Sequence, residues 1–176
     1  MSQNLDLGID PGENRACEAD IVRASTSIHF ICTGNIYRSR LAEAYCASKR
    51  IPGVHVLSSG IAAGRDGNAL ISPYAAEALS RCGLRGYAAE RWQRTTASLV
   101  QVSDVIVFME PEHHRFCEGW IEATRQRIEV WGIEDIGPMD ASKIPAKVEL
   151  TFQLIRQRID SLLNDLGLIV PGSEGR

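Results

Sequence analysis

The sequence contains no long hydrophobic run, which argues against a membrane-spanning helix. The longest apolar stretches, at 104–109 and 166–170, are far shorter than the roughly 20 residues that cross a bilayer. The N-terminus is polar and acidic, without the apolar core of a secretory signal. We therefore expect a cytoplasmic protein with no membrane partner.

Excess positive charge is also lacking. The 19 Lys and Arg residues are outnumbered by 22 Asp and Glu residues, so the formal net charge is -3. Nucleic acids bind to basic faces, so this balance argues against a nucleic acid as the main partner. It still allows a local positive pocket for a small anion.

Paired cysteines are lacking as well. The five cysteines are scattered, odd in number and without C-x-x-C spacing, which argues against a disulfide framework and against a zinc cluster. A cysteine with a chemical role here is expected to act as a free thiol. We predict no metal and no cofactor.

Strand and helix patterns alternate through the middle of the chain. Apolar, β-branched strand patterns lie at 27–32, 54–60, 104–109 and 126–131, and helix patterns lie at 40–50, 72–83, 95–101, 110–120 and 148–166. The third strand pattern is continuously apolar, as is typical of a strand buried on both faces. The alternation predicts one α/β domain with a parallel four-stranded sheet and helices on both faces.

The two ends of the chain carry no such pattern. We predict a flexible N-terminal extension at 1–26, with one helical turn near 17–23, a folded domain at 27–168 and a C-terminal tail at 169–176. The segment 132–145 is rich in glycine and proline and is predicted to be a loop.

The segment "CTGNIYRS" joins the first strand to the first helix and begins with Cys32. Ligands of such sheets bind at the carboxyl ends of the strands, where this cysteine lies. Backbone N–H groups at a strand-to-helix turn form an anion cradle. Gly34 and Asn35 tolerate the positive φ of a curled loop, and the guanidinium of Arg38 matches two phosphate oxygens. We therefore predict a phosphate-binding loop.

The same positive surroundings favour the thiolate form of Cys32, which is its nucleophilic form. Ser39 directly follows the arginine, and its hydroxyl is placed to stabilise the sulfur. The predicted phosphate-binding residues are Thr33, Gly34, Asn35, Ile36, Tyr37, Arg38 and Ser39.

These residues resemble the phosphate-binding loop of the low-molecular-weight protein tyrosine phosphatases. The segments "LAEA", "SSGIAAG", "DVIVFMEPEHH" and "IEDIGP" are also similar to that family, and the resemblance covers Ser27 to Leu166. It implies the fold of that family, with Cys32 as nucleophile and Arg38 as phosphate clamp. It further implies that Asn35, Ser39 and Ser58 support the loop and that Asp135 is the general acid.

Cleavage of a phosphate ester requires a proton donor for the leaving oxygen, and the same carboxyl group can later activate water. Asp135 follows the fourth strand by a few residues and is the preferred acid. Glu134 and Asp140 are the nearest alternatives.

The chain departs from the family pattern at several positions. Ile136 stands where proline is usual, so we expect a less rigid acid loop. Tyr37 replaces a frequent cysteine, and Arg40 replaces a proline and is expected to add positive charge at the mouth of the cleft. Ile36 is similar to the residue of phosphotyrosine enzymes, whereas threonine there is similar to phosphoarginine enzymes.

The sequence thus predicts a phosphatase that hydrolyses phosphotyrosine through a cysteinyl-phosphate intermediate. The expected partners are a phosphotyrosine-containing protein and inorganic phosphate, and we expect a monomer or weak dimer. One alternative is a thiol-dependent arsenate reductase, for which Cys82 and Cys117 are poorly placed and Met109 stands where a cysteine is needed. Another, motivated by Ile136, is a phosphate-binding module with weak turnover.

The remaining cysteines and histidines receive plainer assignments. Cys46, Cys82 and Cys117 are predicted to be buried helix residues. His113 and His114 are not expected to bind metal or act as bases, because adjacent helical residues face different ways.

Overall fold

A computed structural model describes residues 25–65 and 70–168 of the chain. The predictions for residues 1–24 and for the tail at 169–176 lie outside the described residues. The first strand already includes Thr26, so the folded domain begins one residue before the predicted boundary.

Four strands and five helices alternate along the described chain. The strands are β1 (Thr26–Cys32), β2 (Val54–Gly60), β3 (Val105–Phe108) and β4 (Arg127–Val130). The helices are α1 (Arg38–Ser48), α2 (Pro73–Arg81), α3 (Ala97–Gln101), α4 (Pro111–Cys117) and α5 (Ile144–Asp165).

The strands form one parallel sheet in the order β2-β1-β3-β4. Cys32 is paired with Gly60 of β2, and Ile31 is paired with Phe108 of β3. Phe108 is in turn paired with Val130, the last residue of β4. All four carboxyl ends therefore meet at one edge, and the predicted fold class is confirmed.

Each face of the sheet has its own apolar core. Phe30 and Val107 point to the larger core, which includes α1, α2 and the buried face of α5. Ile106 and Phe108 point to a smaller core with Val100 of α3 and Cys117 of α4. The alternation of side chains along buried strands produces this division and places helices on both faces, as predicted.

The helix ends follow the predicted chemistry with two differences. Ser72 caps α2, and its hydroxyl accepts a hydrogen bond from the Ala75 N–H at 3.2 Å. The helix α5 begins at Ile144, before the predicted end of the loop, because proline is tolerated in a first helical turn. Cys82, predicted to be buried, is exposed because it lies beyond the last residue of α2.

Candidate active site

The Cys32 sulfur lies at the carboxyl end of β1 and is buried. Its Sγ is 3.0 Å from the Ser39 hydroxyl oxygen and accepts a hydrogen bond from the Asn35 N–H at 3.3 Å. Asn35 lies in the middle of the loop that the sequence predicts to bind phosphate, and Ser39 lies at its end. They are suited to stabilise a thiolate.

Asn35 fixes the shape of that loop. Its φ is 55°, in the left-handed region, whereas Gly34 does not use a positive φ. Its side-chain amide donates to Ser39 at 2.9 Å and to Ser58 at 2.8 Å, and its Oδ1 accepts from the Gln93 N–H at 2.7 Å. The predicted support by Ser39 and Ser58 is therefore present as contacts.

Several donors of the loop have no hydrogen-bond partner among residues 25–65 and 70–168. Within the described residues, the backbone N–H groups of Gly34, Ile36 and Tyr37 make no hydrogen bond. The buried Nε of Arg38 likewise has no acceptor there. A ring of N–H groups ahead of a helix is an anion site, so the loop is suited to hold the oxygens of a phosphate.

The guanidinium of Arg38 joins three segments of the carboxyl edge. Its Nη2 donates to Asp135 Oδ2 at 2.7 Å and to the Thr33 hydroxyl at 3.1 Å. Its Nη1 donates to the Ile133 carbonyl at 2.9 Å and forms an ion pair with Glu110. Burial alone would lower the pKa of Arg38, but the negative charges of Cys32, Asp135 and Glu110 outweigh burial and raise it.

Of the three candidate acids, the structure brings only Asp135 to the loop. Glu134 is exposed and lies 3.8 Å from the Lys147 ammonium, and Asp140 is exposed and pairs with Lys143. The Ile136 N–H donates to Asp135 Oδ1 at 2.8 Å, a bond that a proline could not make. Ile136 also packs against the larger core. Asp135 is therefore contacted by Ile136 at one carboxylate oxygen and by Arg38 at the other.

Arg40 does not lie at the mouth of the cleft, so the expected surface charge there is wrong. Its side chain is 2% exposed. Its Nε donates to the Asn35 carbonyl at 3.0 Å, its Nη1 to Glu43 at 2.7 Å and its Nη2 to the Arg91 carbonyl. Because Glu43 also accepts from the Ser58 hydroxyl at 3.0 Å, Arg40 braces the loop from behind.

Sequence reasoning missed Glu110 and His113, which both contact the loop. Glu110 pairs with Arg38, and the His113 ring nitrogen Nε2 is 3.0 Å from the Thr33 hydroxyl. The available signal was their position directly after β3, at the same edge as Cys32. Both ring nitrogens of His113 are engaged in hydrogen bonds, which argues against their use as metal ligands.

The other buried thiols are set apart from this chemistry. Burial raises the pKa of Cys46 to about 12 and that of Cys117 to about 12. Tyr37 is buried beside the loop, and burial raises its pKa as well. At neutral pH these groups are uncharged and lie in the apolar cores.

A thiol at the end of a parallel strand, a curled loop with free N–H groups and a buried guanidinium define an α/β phosphate-binding enzyme site. The family model for low molecular weight phosphotyrosine protein phosphatase matches residues 27–167. The chain therefore belongs to this family, which makes it a cysteine-dependent phosphatase, and the predicted family is confirmed.

Solved structures with the same fold are distant in sequence. A low molecular weight protein tyrosine phosphatase from Bacillus subtilis is 23% identical, with a TM-score of 0.62, over 80% of this chain and 99% of that one. The YwlE arginine phosphatase from Geobacillus stearothermophilus is 22% identical, with a TM-score of 0.61, over 80% and 94%. A thioredoxin-dependent arsenate reductase from Corynebacterium glutamicum is 20% identical, with a TM-score of 0.65, over 84% and 65%.

No curated protein matches the chain significantly. Within the described ranges, no helix is both long enough and apolar enough to cross a membrane.

Proposed function

We propose that the protein hydrolyses phosphotyrosine in proteins, and aryl phosphates generally, through a cysteinyl-phosphate intermediate. The observation that supports this most strongly is the Cys32 sulfur, which two donors hold at 3.0 and 3.3 Å at the base of the loop. Arg38 closes the loop, and Asp135 lies 2.7 Å from its guanidinium. A nucleophile, an anion clamp and a carboxyl group thus converge.

In the proposed first step the Cys32 thiolate attacks phosphorus. The bond from phosphorus to the tyrosyl oxygen breaks, and Asp135 gives its proton to that oxygen. Arg38 and the loop N–H groups stabilise the charge on the three other phosphate oxygens. The phosphoryl group is then bound to sulfur.

In the second step the Asp135 carboxylate takes a proton from water, and the water oxygen attacks phosphorus. The phosphorus–sulfur bond breaks, and hydrogen bonds from the Ser39 hydroxyl and the Asn35 N–H stabilise the thiolate that leaves. Inorganic phosphate leaves, and the protonated Asp135 is ready for the next ester.

The preference for an aryl group is supported by Ile36. Its branched apolar side chain is partly exposed on the loop and offers a surface on which a tyrosine ring can pack. We propose accordingly a phosphotyrosine-containing protein as partner, a monomer or weak dimer as the working form and the cytoplasm as its location.

An arsenate reductase is less well supported. Disulfide relay requires thiols that can reach Cys32 in turn. Met109 is buried after β3, Cys117 lies in the core on the other face of the sheet, and Cys82 contacts Arg156 of α5 at 2.8 Å. Met109 carries no thiol, and within the described residues neither Cys82 nor Cys117 makes a hydrogen bond to the loop.

Turnover of para-nitrophenyl phosphate and phenyl phosphate tests the proposal. Cys32→Ser is expected to abolish both reactions, because the nucleophile is removed. Asp135→Asn is expected to lower kcat by roughly 10²- to 10⁴-fold, and more for phenyl phosphate, whose leaving oxygen needs the proton more.

Glu134→Gln and Asp140→Asn are the matched controls and should retain wild-type rates. Full activity of Asp135→Asn would assign the acid elsewhere. Phosphate binding without turnover in the wild type would favour the phosphate-binding module with weak turnover. Faster release of phosphate from phosphoarginine than from aryl phosphates would indicate phosphoarginine as the substrate instead.

A further inference from the structure

His113 is a buried histidine whose hydrogen bonds determine where its proton lies. The Glu110 N–H donates to its Nδ1 at 3.0 Å, so Nδ1 carries no proton. In the neutral ring the proton is therefore on Nε2, which lies 3.0 Å from the Thr33 hydroxyl oxygen. His113 thus donates to the residue that directly follows the nucleophile.

The Thr33 hydroxyl links His113 to the guanidinium of Arg38. Its hydroxyl oxygen also accepts from Arg38 Nη2 at 3.1 Å. The two lone pairs are then both used, and the remaining hydroxyl hydrogen is free to donate elsewhere. A continuous chain of hydrogen bonds runs from α4 through Thr33 to Arg38.

The neutral form of the ring is favoured by its surroundings. Burial and the charge of Arg38 lower the pKa of His113 to about 4. A proton on Nδ1 would face the donor N–H of Glu110 and add a second positive charge beside Arg38. The donor to Thr33 is therefore fixed at neutral pH.

This bond matters because one of the charged partners of Arg38 has to move during the reaction. The side chain of Asp135 is 52% exposed and that of Glu110 is 27% exposed. Asp135 has to leave the guanidinium to reach the leaving oxygen of a substrate. Thr33, held by a fully buried imidazole, then remains with Glu110 as a side-chain contact of the guanidinium, and it is the one on the Nη2 that Asp135 has left.

We propose that His113 is a positioning residue for phosphate binding, which acts through the Thr33 hydroxyl to orient Arg38. This inference rests on the proposed function only in taking phosphate as the ligand. It means that α4, through His113, helps to orient the arginine that binds the anion.

The test compares His113→Leu with His113→Gln. Leucine removes both bonds of the ring, whereas glutamine at this helical position keeps an N–H donor and an acceptor for the Glu110 N–H. We expect the dissociation constant of orthophosphate, measured by calorimetry, to rise about tenfold in His113→Leu and to stay within about threefold in His113→Gln.

Thr33→Val gives a second, independent arm. It should weaken orthophosphate binding about as much as His113→Leu, and the double variant should be scarcely weaker than either single variant, because both break one chain. For an aryl phosphate, we expect KM to rise more than kcat falls. His114→Gln, whose ring packs on Phe108 away from this chain, is the control that should leave binding unchanged.

Several results would overturn the inference. One is a His113→Leu protein that unfolds at lower denaturant but binds orthophosphate like wild type, because its role is then only structural. Additive losses in the double variant, or no orthophosphate binding by the wild type, would also overturn it. Absence of aryl phosphate turnover with binding intact contradicts the proposed function alone.

Discussion

Arg38 carries the positive charge that a phosphate bound in this site would contact. At rest its guanidinium is paired with Asp135 at 2.7 Å and with Glu110. An arginine remains charged in such a buried place, so the pairing neutralises a fixed positive charge. A phosphate dianion must therefore replace at least one carboxylate before it can form two parallel bonds to the guanidinium.

The replacement of Asp135 can be measured separately from its role as acid. In Asp135→Asn the guanidinium loses a charged partner, so we expect orthophosphate to inhibit about two- to fivefold more strongly although kcat falls. The size is modest because half-exposed ion pairs contribute little. Competitive inhibition against para-nitrophenyl phosphate gives the constant.

Glu134→Gln is the matched control, since its carboxylate lies beside Lys147 and not on the guanidinium. Weaker inhibition by orthophosphate in Asp135→Asn would mean that Asp135 helps to hold the anion.

At the scale of elements, the phosphate-binding loop is packed against the end of β2. A Cβ atom on Gly60 would lie 2.6 Å from the Thr33 carbonyl oxygen and 2.7 Å from the Asn35 nitrogen. The Ile61 N–H and Ala62 N–H also donate to the first two residues of this segment, at 3.0 and 2.9 Å. The strand end and the loop therefore share one closely fitted backbone contact.

We expect Gly60→Ala to destabilise the protein by about 1–3 kcal/mol, since the backbone has to shift to admit a methyl group. Its kcat/KM should fall further than the lost stability explains, because Asn35 is displaced. Denaturant unfolding and aryl phosphate kinetics measure the two effects.

Gly86→Ala is the control for that experiment, because a Cβ there meets nothing within 4 Å. It should change neither quantity appreciably. Equal behaviour of the two alanine variants would show that β2 does not constrain the loop.

The elements and the loop were predictable because their signals are local. Alternating patterns, the Ser72 cap and the Cys32-to-Ser39 spacing each lie within a few neighbouring residues. The surroundings of Arg40 were not predictable in this way. Its buried position depends on the Arg91 carbonyl, 51 residues away, and the partner of Arg38 at Glu110 is 72 residues away.

At the scale of the whole molecule, the part of the chain that the structure describes contains two fully buried histidines, which are neutral in the folded state. Burial lowers the pKa of His29 to about 3, and burial with Arg38 lowers that of His113 to about 4. His29 is hydrogen-bonded to Ser59 at 2.7 Å and to Ser103 at 3.2 Å, so it joins β1 to β2 and to the end of α3. The unfolded chain binds protons at both rings near the ordinary pKa of 6.5.

Stability should therefore fall as the pH drops below about 6.5. In that range the unfolded state binds a proton that the folded state does not, so the free energy of unfolding rises with pH and levels off above it. At pH 5 each histidine should cost about 2 kcal/mol relative to pH 7. Urea unfolding at both pH values measures the difference.

Replacing His29 by glutamine should remove about half of this pH dependence, whereas His55→Gln, at an exposed position, should leave it unchanged. An unaltered slope in His29→Gln would place the responsible groups elsewhere.

The carboxylates on Arg38 also bear on how a catalytic cycle closes. In the proposed reaction inorganic phosphate is the last species to leave, and tight binding of it would slow the enzyme wherever that ion is abundant. Glu110, and Asp135 once it has lost its proton, can pair with the guanidinium again as the product detaches. The carboxylates on Arg38 therefore compete with the product phosphate for the same guanidinium, which favours release of the phosphate at the end of each turnover.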